Sequence, residues 1–228
     1  MHPIERRRSI AEEVASRLRH AIVEGDFRLG EALSERQLAE SLNVSKTPVR
    51  EALAQLRLEG LVNIYPQRGV AVFTLSAREI RDICELRLAL EEAALRYAIE
   101  RNPERLADRL SEVVARMEKA HASGDERAYL AADTDYHQVF FECCDNAYLE
   151  STYTLYVGKL AALRTHLSHK PDHTRRSDEE HHHMLDLIRA RDLPECLAVL
   201  KRHIDRVSTT YSENVKDIAA ADSGQPKA

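Results

Sequence analysis

The chain has 228 residues, 43% hydrophobic and 31% charged, with seven Gly, seven Pro and four Cys, which suits a helical protein with one large core or two modest ones. No run of about 18 apolar residues occurs, so no membrane span is expected; the charged start MHPIERRRSIAEEV lacks the apolar stretch of a secretory signal. Four cysteines, two of them adjacent (Cys143, Cys144), make no disulfide framework, and a net charge of −5 argues against wholesale nucleic-acid binding.

A reducing cytoplasm is therefore the expected setting. The charge is uneven: residues 1–75 carry 11 Lys and Arg against 10 Asp and Glu, and the remainder carries 22 against 28. That asymmetry fits a DNA-binding head on an acidic body.

In chain order, Ile10, Val14, Leu18 and Ile22 recur at four-residue spacing and predict a helix over 10–24 with one buried face. Gly25-Asp26 and Gly30 break it. Ser34-Glu35-Arg36-Gln37 reads as a capping box opening a short second helix, with Leu38 and Leu42 inward. Asn43 suits a left-handed turn, and Ser45 is placed to cap a third helix. Pro48 is tolerable in its first turn, Val49, Leu53 and Leu56 line its core face, and Gly60 ends it. LVNIYPQRGVAVFTL is rich in β-branched residues and broken near Gln67-Arg68-Gly69, which predicts two short strands and a turn.

Everything after that predicts helix. The box Ser76-Ala77-Arg78-Glu79 opens a helix of about 25 residues, Asn102-Pro103 starts the next, and a third lies near 125–144. A fourth runs from about 146 to 169, the box Ser177-Asp178-Glu179-Glu180 opens a fifth, and a sixth occupies about 193–214. The fold expected is mainly α: a winged helix-turn-helix over 1–75, an all-helical antiparallel bundle of about six helices over 76–214, and a disordered tail over 215–228.

In a winged helix-turn-helix the second motif helix enters the major groove with its N-terminal residues toward the bases. Here that segment is Ser45-Lys46-Thr47-Pro48-Val49-Arg50. Lys46 and Arg50 lie one turn apart, opposite the Leu53/Leu56 stripe. Arg50 suits a bidentate contact with guanine, and Ser45 and Thr47 suit phosphates. Arg68 at the wing tip can reach a phosphate or the minor groove, and Gly69 permits close backbone approach. Taken singly, each is equally well a basic or polar residue on a solvated face. A single short recognition helix binds weakly alone, so a homodimer reading a pseudo-palindromic stretch of double-stranded DNA is expected.

Nine of the eleven histidines fall between 121 and 203. His121, His166, His169 and His173 read as members of solvated faces. With His137 at zero and about 100° per residue, Asp133 falls at about −40° and Phe141 at about 40°, so Asp133 and His137 point together into an apolar stripe. In His181-His182-His183 only His181 is centred on the stripe of Met184, Leu185 and Ile188. His203 falls within the arc of Cys196, Val199, Leu200 and Val207. Three helices thus aim one carboxylate and three imidazoles at a common core, a donor set suited to a divalent metal, Zn²⁺ first, with Ni²⁺, Mn²⁺ or Fe²⁺ also accommodated. A core histidine that is merely hydrogen-bonded is the plainer alternative for any one of them. Arg87 either faces this interior to receive a carboxylate or forms a surface ion pair with Glu91 at i+4; Arg164 is a second candidate of the same kind.

The stretch ALSERQLAESLNVSKTPVREALAQLRLEGLVNIYPQRGVAV resembles the DNA-binding domain of GntR-family bacterial regulators, densely over about 60 residues. The resemblance implies DNA contacts at Arg36, Ser45, Lys46, Thr47, Arg50, Arg68 and Gly69. Lys46 departs from the more usual Arg and would act as a point charge rather than a fork; Asn43 stands where Gly is common. The helical half resembles the FCD effector domain of the FadR-like branch: Asp133-x-x-x-His137 matches its D-x-x-F-H motif with Tyr136 in place of Phe. Glu180-His181-His182-His183-Met184-Leu185-Asp186 matches E-H-x-x-I-L-D, and Lys201-Arg202-His203-Ile204 matches the terminal motif. Six helices rather than seven suggest the shorter VanR-like subgroup. The resemblance implies a transcription regulator, a repressor in the direction favoured, with a divalent metal at Asp133, His137, His181 and His203 beside a small carboxylate effector. Three His with open metal positions also occur in hydrolytic zinc enzymes, but no motif supplies a placed general base. A constitutive DNA binder with a purely structural metal is the third alternative.

Overall fold

Among the described residues, twelve elements follow one another in the order helix, strand, helix, helix, strand, strand and then six helices. A computed structural model describes residues 9–65, 67, 69–167 and 171–223, and the backbone alone of 167, 171–173 and 216–223. Two compact units result, one of residues up to Thr74 with Gly158–Ala162, the other of the remainder from Leu75.

In the first unit, α1 (Ile10–Val23) opens on Ser9, whose hydroxyl accepts from the Glu12 amide while the Glu12 carboxylate returns to the Ser9 amide. Val14, Leu18 and Ile22 are buried, but Ile10 is 63% exposed because it sits on the outermost turn. β1 (Ala32–Leu33), too short to produce a periodic pattern, leads into α2 (Glu35–Ser41) and α3 (Lys46–Leu58). Asn43 turns the chain between them at φ 52°. At α2 only half of the expected capping box forms: the Ser34 hydroxyl accepts from the Gln37 amide at 3.4 Å. Ser45 sits at the N-cap of α3 but gives no side-chain cap bond, contrary to its expected role. Val49, Ala52, Leu53 and Leu56 of α3 pack inward, and α1 lies against this helix. β2 (Val62–Tyr65) and β3 (Gly69–Val72) form an antiparallel hairpin with Tyr65 opposite Gly69. β1 adds to the far edge of β3, making three strands where the residue pattern suggested two.

In the second unit, α4 (Ala77–Arg101) carries the full capping box at Ser76 and Glu79. It is followed by α5 (Pro103–Ser123), α6 (Glu126–Cys143), α7 (Ala147–Leu167), α8 (Pro171–Ala190) and α9 (Leu193–Ser223). Asn102 and Pro103 provide the α4/α5 break, and Gly124 ends α5 at φ 68°. Helix packing is dense between α5 and α6, α4 and α9, α8 and α9, and α5 and α8. Two expectations fail here. Ser177 does not open α8 but lies inside it, buried, because Pro171 already starts the helix. α9 continues past residue 214 to Ser223, across the alanine-rich KDIAAADS, which has no Gly or Pro to stop it. No described helix is long and apolar enough to cross a membrane.

Candidate metal centre and nucleic-acid interface

Four helices of the second unit build its polar interior. α6 contributes Asp133 and His137, α8 His181, α9 His203, and α4 Arg87 and Glu91; all six are buried. One ligating atom from each of His137, His181 and His203 lies within 4.8 Å of the other two, a grouping that could hold a metal ion. The Nε2 atoms of His137 and His181 stand 3.4 Å apart. On the two flanking imidazoles the outer nitrogens are held: His137 Nδ1 lies 2.8 Å from Glu91 Oε2, and His203 Nδ1 lies 2.8 Å from Glu180 Oε2. An ionised carboxylate can only accept, so against one Nδ1 donates and Nε2 turns its lone pair inward, the arrangement that outer carboxylates impose on metal-bound histidines. Among the described residues, His181 has no hydrogen-bond partner at Nδ1.

Burial holds His137 and His203 well below the usual histidine range, with positive neighbours adding to the effect, and brings His181 down to about 4. Three neutral imidazoles, two with inward lone pairs fixed by carboxylates, fit a divalent metal: a shared cation would satisfy nitrogens that have no proton to exchange between them. Asp133 lies at the edge of this group. Its Oδ1 is 3.8 Å from His181 Nε2, while Oδ2 is ion-paired with the Arg164 guanidinium. Burial raises its pKa, but Arg164, joined by smaller contributions from His181, His137 and His203, more than offsets that and holds the carboxyl below the usual carboxylate range.

Both candidate effector arginines are buried. The Arg87–Glu91 pair forms at 2.6 Å, but inside the protein rather than on its surface. Glu91 thereby joins Arg87 to His137, and Arg87 Nη2 is buried with no partner among the described residues. Arg164 also donates to Thr134 Oγ1 at 2.5 Å. Arg87, Asp133, Arg164 and His203 border a cleft of about 290 Å³ of unfilled space, part of it open to solvent and narrow enough that only about one water fits. Tyr129, Thr174, Ser177 and Tyr211 bring hydroxyls to its wall.

Sequence reasoning missed Glu91, Glu180 and Arg206. Glu180 accepts from Arg206 Nη2 at 2.5 Å as well as meeting His203, and Arg206 also reaches the Ser177 hydroxyl. Glu91 was weighed only as a partner of Arg87; its place on the same helix face, one turn on, was the available signal. His182 is half-buried and His183 exposed. His121 is exposed and His166 half-buried; residue 169 and the side chain of residue 173 lie outside the described residues.

In the first unit, Ser45, Lys46, Thr47 and Arg50 form one exposed run at the start of α3, opposite its buried Val49/Leu53/Leu56 face. With no cap bond at Ser45, its hydroxyl and the first amides of α3 are open to an anion. Arg36 is exposed, with a loose 3.9 Å contact to Glu40. Arg50 Nε donates to Glu35 Oε2 at 2.6 Å. Gly69 is exposed at φ 89°, and a Cβ added there would meet nothing within 4 Å. Arg68 lies outside the described residues.

Residues 10–72 match the model of bacterial regulatory proteins of the gntR family, and residues 82–206 match the FCD domain. The chain belongs to the GntR family, in its FCD-bearing, FadR-like branch. It is 30% identical over 215 residues to the uncharacterized HTH-type transcriptional regulator BphR of Paraburkholderia xenovorans, covering 89% of this chain and 85% of that protein. It is also 30% identical over 226 residues to the HTH-type transcriptional repressor NanR of Klebsiella aerogenes, covering 90% and 86%. A solved structure of a GntR transcriptional regulator from Rhodococcus sp. RHA1 superposes with a TM-score of 0.80 at 22% identity, over 88% of this chain and 96% of that one, which shows a common fold. The chain is thus a GntR/FCD transcriptional regulator and not an enzyme, which removes the hydrolase alternative. Its buried His137, His181 and His203 suggest a metal site of the kind typical of FCD domains.

Proposed function

We propose that this regulator is a cytoplasmic, homodimeric repressor whose affinity for a pseudo-palindromic operator is set by a small organic acid bound beside a metal in the helical domain. The observation that carries the reading is the convergence of three buried imidazoles, two of them oriented by carboxylates, next to two buried arginines. His137, His181 and His203 would hold the ion, and Asp133 would join them on leaving Arg164. Zn²⁺ is the first choice, with Ni²⁺, Mn²⁺ or Fe²⁺ compatible with the same donors. When bound, such an ion supplies open coordination positions for a carboxylate. Arg87, with a spare N–H, and Arg164 would pair with that carboxylate and neutralise it in a narrow, largely buried cleft. On DNA, Arg50 would read a base pair, Lys46 would supply positive charge, and Arg36, Ser45, Thr47, Arg68 and Gly69 would fix the register on phosphates or the minor groove. Six helices in the second unit support a place in the VanR-like subgroup.

Linkage makes the coupling reciprocal: an acid that weakens operator binding tenfold is itself bound tenfold more weakly on the operator, about 1.4 kcal/mol. The narrowness of the cleft favours one other reading, a structural metal in a constitutive DNA binder. Calorimetry of small mono- and dicarboxylic acids on the metal-loaded protein separates the two. Saturable binding of an acid, lost in Arg87→Ala, supports the sensor; no heat from any acid, with the metal retained, supports the structural role.

A further inference from the structure

The two exposed arginines of the helix-turn-helix are held differently. Arg36 has only a 3.9 Å contact with Glu40, one turn along its own helix. Arg50, on α3, is bonded at 2.6 Å to Glu35 at the start of α2, fifteen residues earlier. Glu35 is well anchored for this: it is the first residue of α2, just after the Ser34 cap, where the helix N-terminus favours a negative charge. Its side chain is 32% exposed, against 66% for that of Arg50. A carboxylate at this place opposes DNA phosphates, so as a contributor to general DNA affinity it is counterproductive.

Its geometry suits another role. A guanidinium offers five N–H donors in a rigid fork. The bond to Glu35 engages Nε and, among the described residues, no other acceptor takes Arg50, so the terminal pair Nη1 and Nη2 is left for a ligand. Two parallel donors of this kind match O6 and N7 of guanine in the major groove. An arginine fixed before encounter also has less freedom to lose on binding.

We propose that Glu35 is a positioning residue for base recognition: it holds Arg50 by Nε so that the two Nη groups present a ready-made pair of donors to a purine edge. The inference rests on the reading of Arg50 as the base-contacting residue. It assigns Glu35 to specificity at the expense of affinity, since it repels the backbone while aligning the reader.

The test uses the full-length protein on duplexes with a randomised central segment, from which the preferred sequence and its single-base variants are drawn. Arg50→Ala identifies the position that depends on Arg50. At that same position Glu35→Ala lowers the preference by about fivefold, within the range that one bidentate contact controls. Affinity for scrambled duplex stays level or rises, because a charge facing phosphates is gone. Glu35→Gln keeps an acceptor for Nε and retains most of the preference, while matching Glu35→Ala on scrambled DNA. Thermal melts of all three variants confirm that the head is folded. Full preference in Glu35→Ala at the position that Arg50→Ala erases overturns the positioning role and leaves the Arg50 reading intact; equal loss in Glu35→Ala and Glu35→Gln overturns it as well. An unchanged base profile in Arg50→Ala removes the Arg50 reading and the inference with it.

Discussion

The candidate DNA-contacting side chains of the head lie in water, whereas the candidate metal and effector residues of the helical domain are hidden from it. In the head, Lys46 and Arg50 project from a helix whose opposite face is already filled by Val49, Leu53 and Leu56, so their charges cost the fold little. In the helical domain, Arg87, Glu91 and His137 form one buried chain, and Glu180 joins His203 to Arg206. Exposed groups that share no partner can be changed one at a time with effects near additive; buried, mutually satisfied groups fail together.

The largest effect is therefore expected at Glu91, although it touches neither DNA nor the centre of the triad. Glu91→Ala leaves the buried Arg87 guanidinium and the His137 ring without their shared acceptor, and should cost on the order of 3–5 kcal/mol, read by denaturant unfolding. A loss under about 1 kcal/mol would mean that the buried chain contributes nothing specific.

Acid should act next, through the buried histidines of the helical domain. His181 titrates near 4 when folded and near the ordinary histidine value when unfolded. The unfolded state thus binds protons first, and stability falls as pH drops from about 6.5 to about 4. His137 and His203 are shifted in the same direction by burial and add to the loss. Melting of chelator-treated protein across that window should show the decline, with little change from pH 7 to 8; a melting temperature flat from pH 7 to 4 would contradict neutral burial of the triad.

Smaller effects belong to the head and leave the melt unchanged. Arg50→Ala should cost roughly 1–3 kcal/mol of operator binding per half-site and relax specificity at one position. Lys46→Ala should weaken binding evenly across sequences and lower the salt dependence, as loss of a phosphate contact does. Gel-shift titrations on specific and scrambled duplexes at two salt concentrations separate them.

The same contrast explains what could be read from the residues alone. Periodicity identifies which face of a helix is buried, so the inward turn of His137, His181 and His203, one on each of three helices, was legible without knowing how the helices pack. Family motifs then supplied the candidate DNA-contacting run, which the structure places on an exposed face. Periodicity does not say which side chain from another helix meets a buried one: Glu91 orienting His137 and Glu180 orienting His203 depend on packing between helices. The same gap hid the engagement of Asp133 by Arg164 from α7. Local signals also misled where a stronger one stood nearby. Ser177-x-x-Glu180 has the form of a capping box, but Pro171 opens α8 earlier, and the serine hydroxyl meets Arg206 instead. The two-residue β1 carries no periodic signal at all.

The central claim is that the buried triad holds a divalent ion, and the metal content of the purified protein tests it most directly. Elemental mass spectrometry should find about one ion per chain in the native protein and much less in His203→Ala, and chelation should lower the native melting temperature toward that of the variant. Native protein free of metal, with a melt unmoved by chelator or by added Zn²⁺, Ni²⁺, Mn²⁺ or Fe²⁺, would contradict the account.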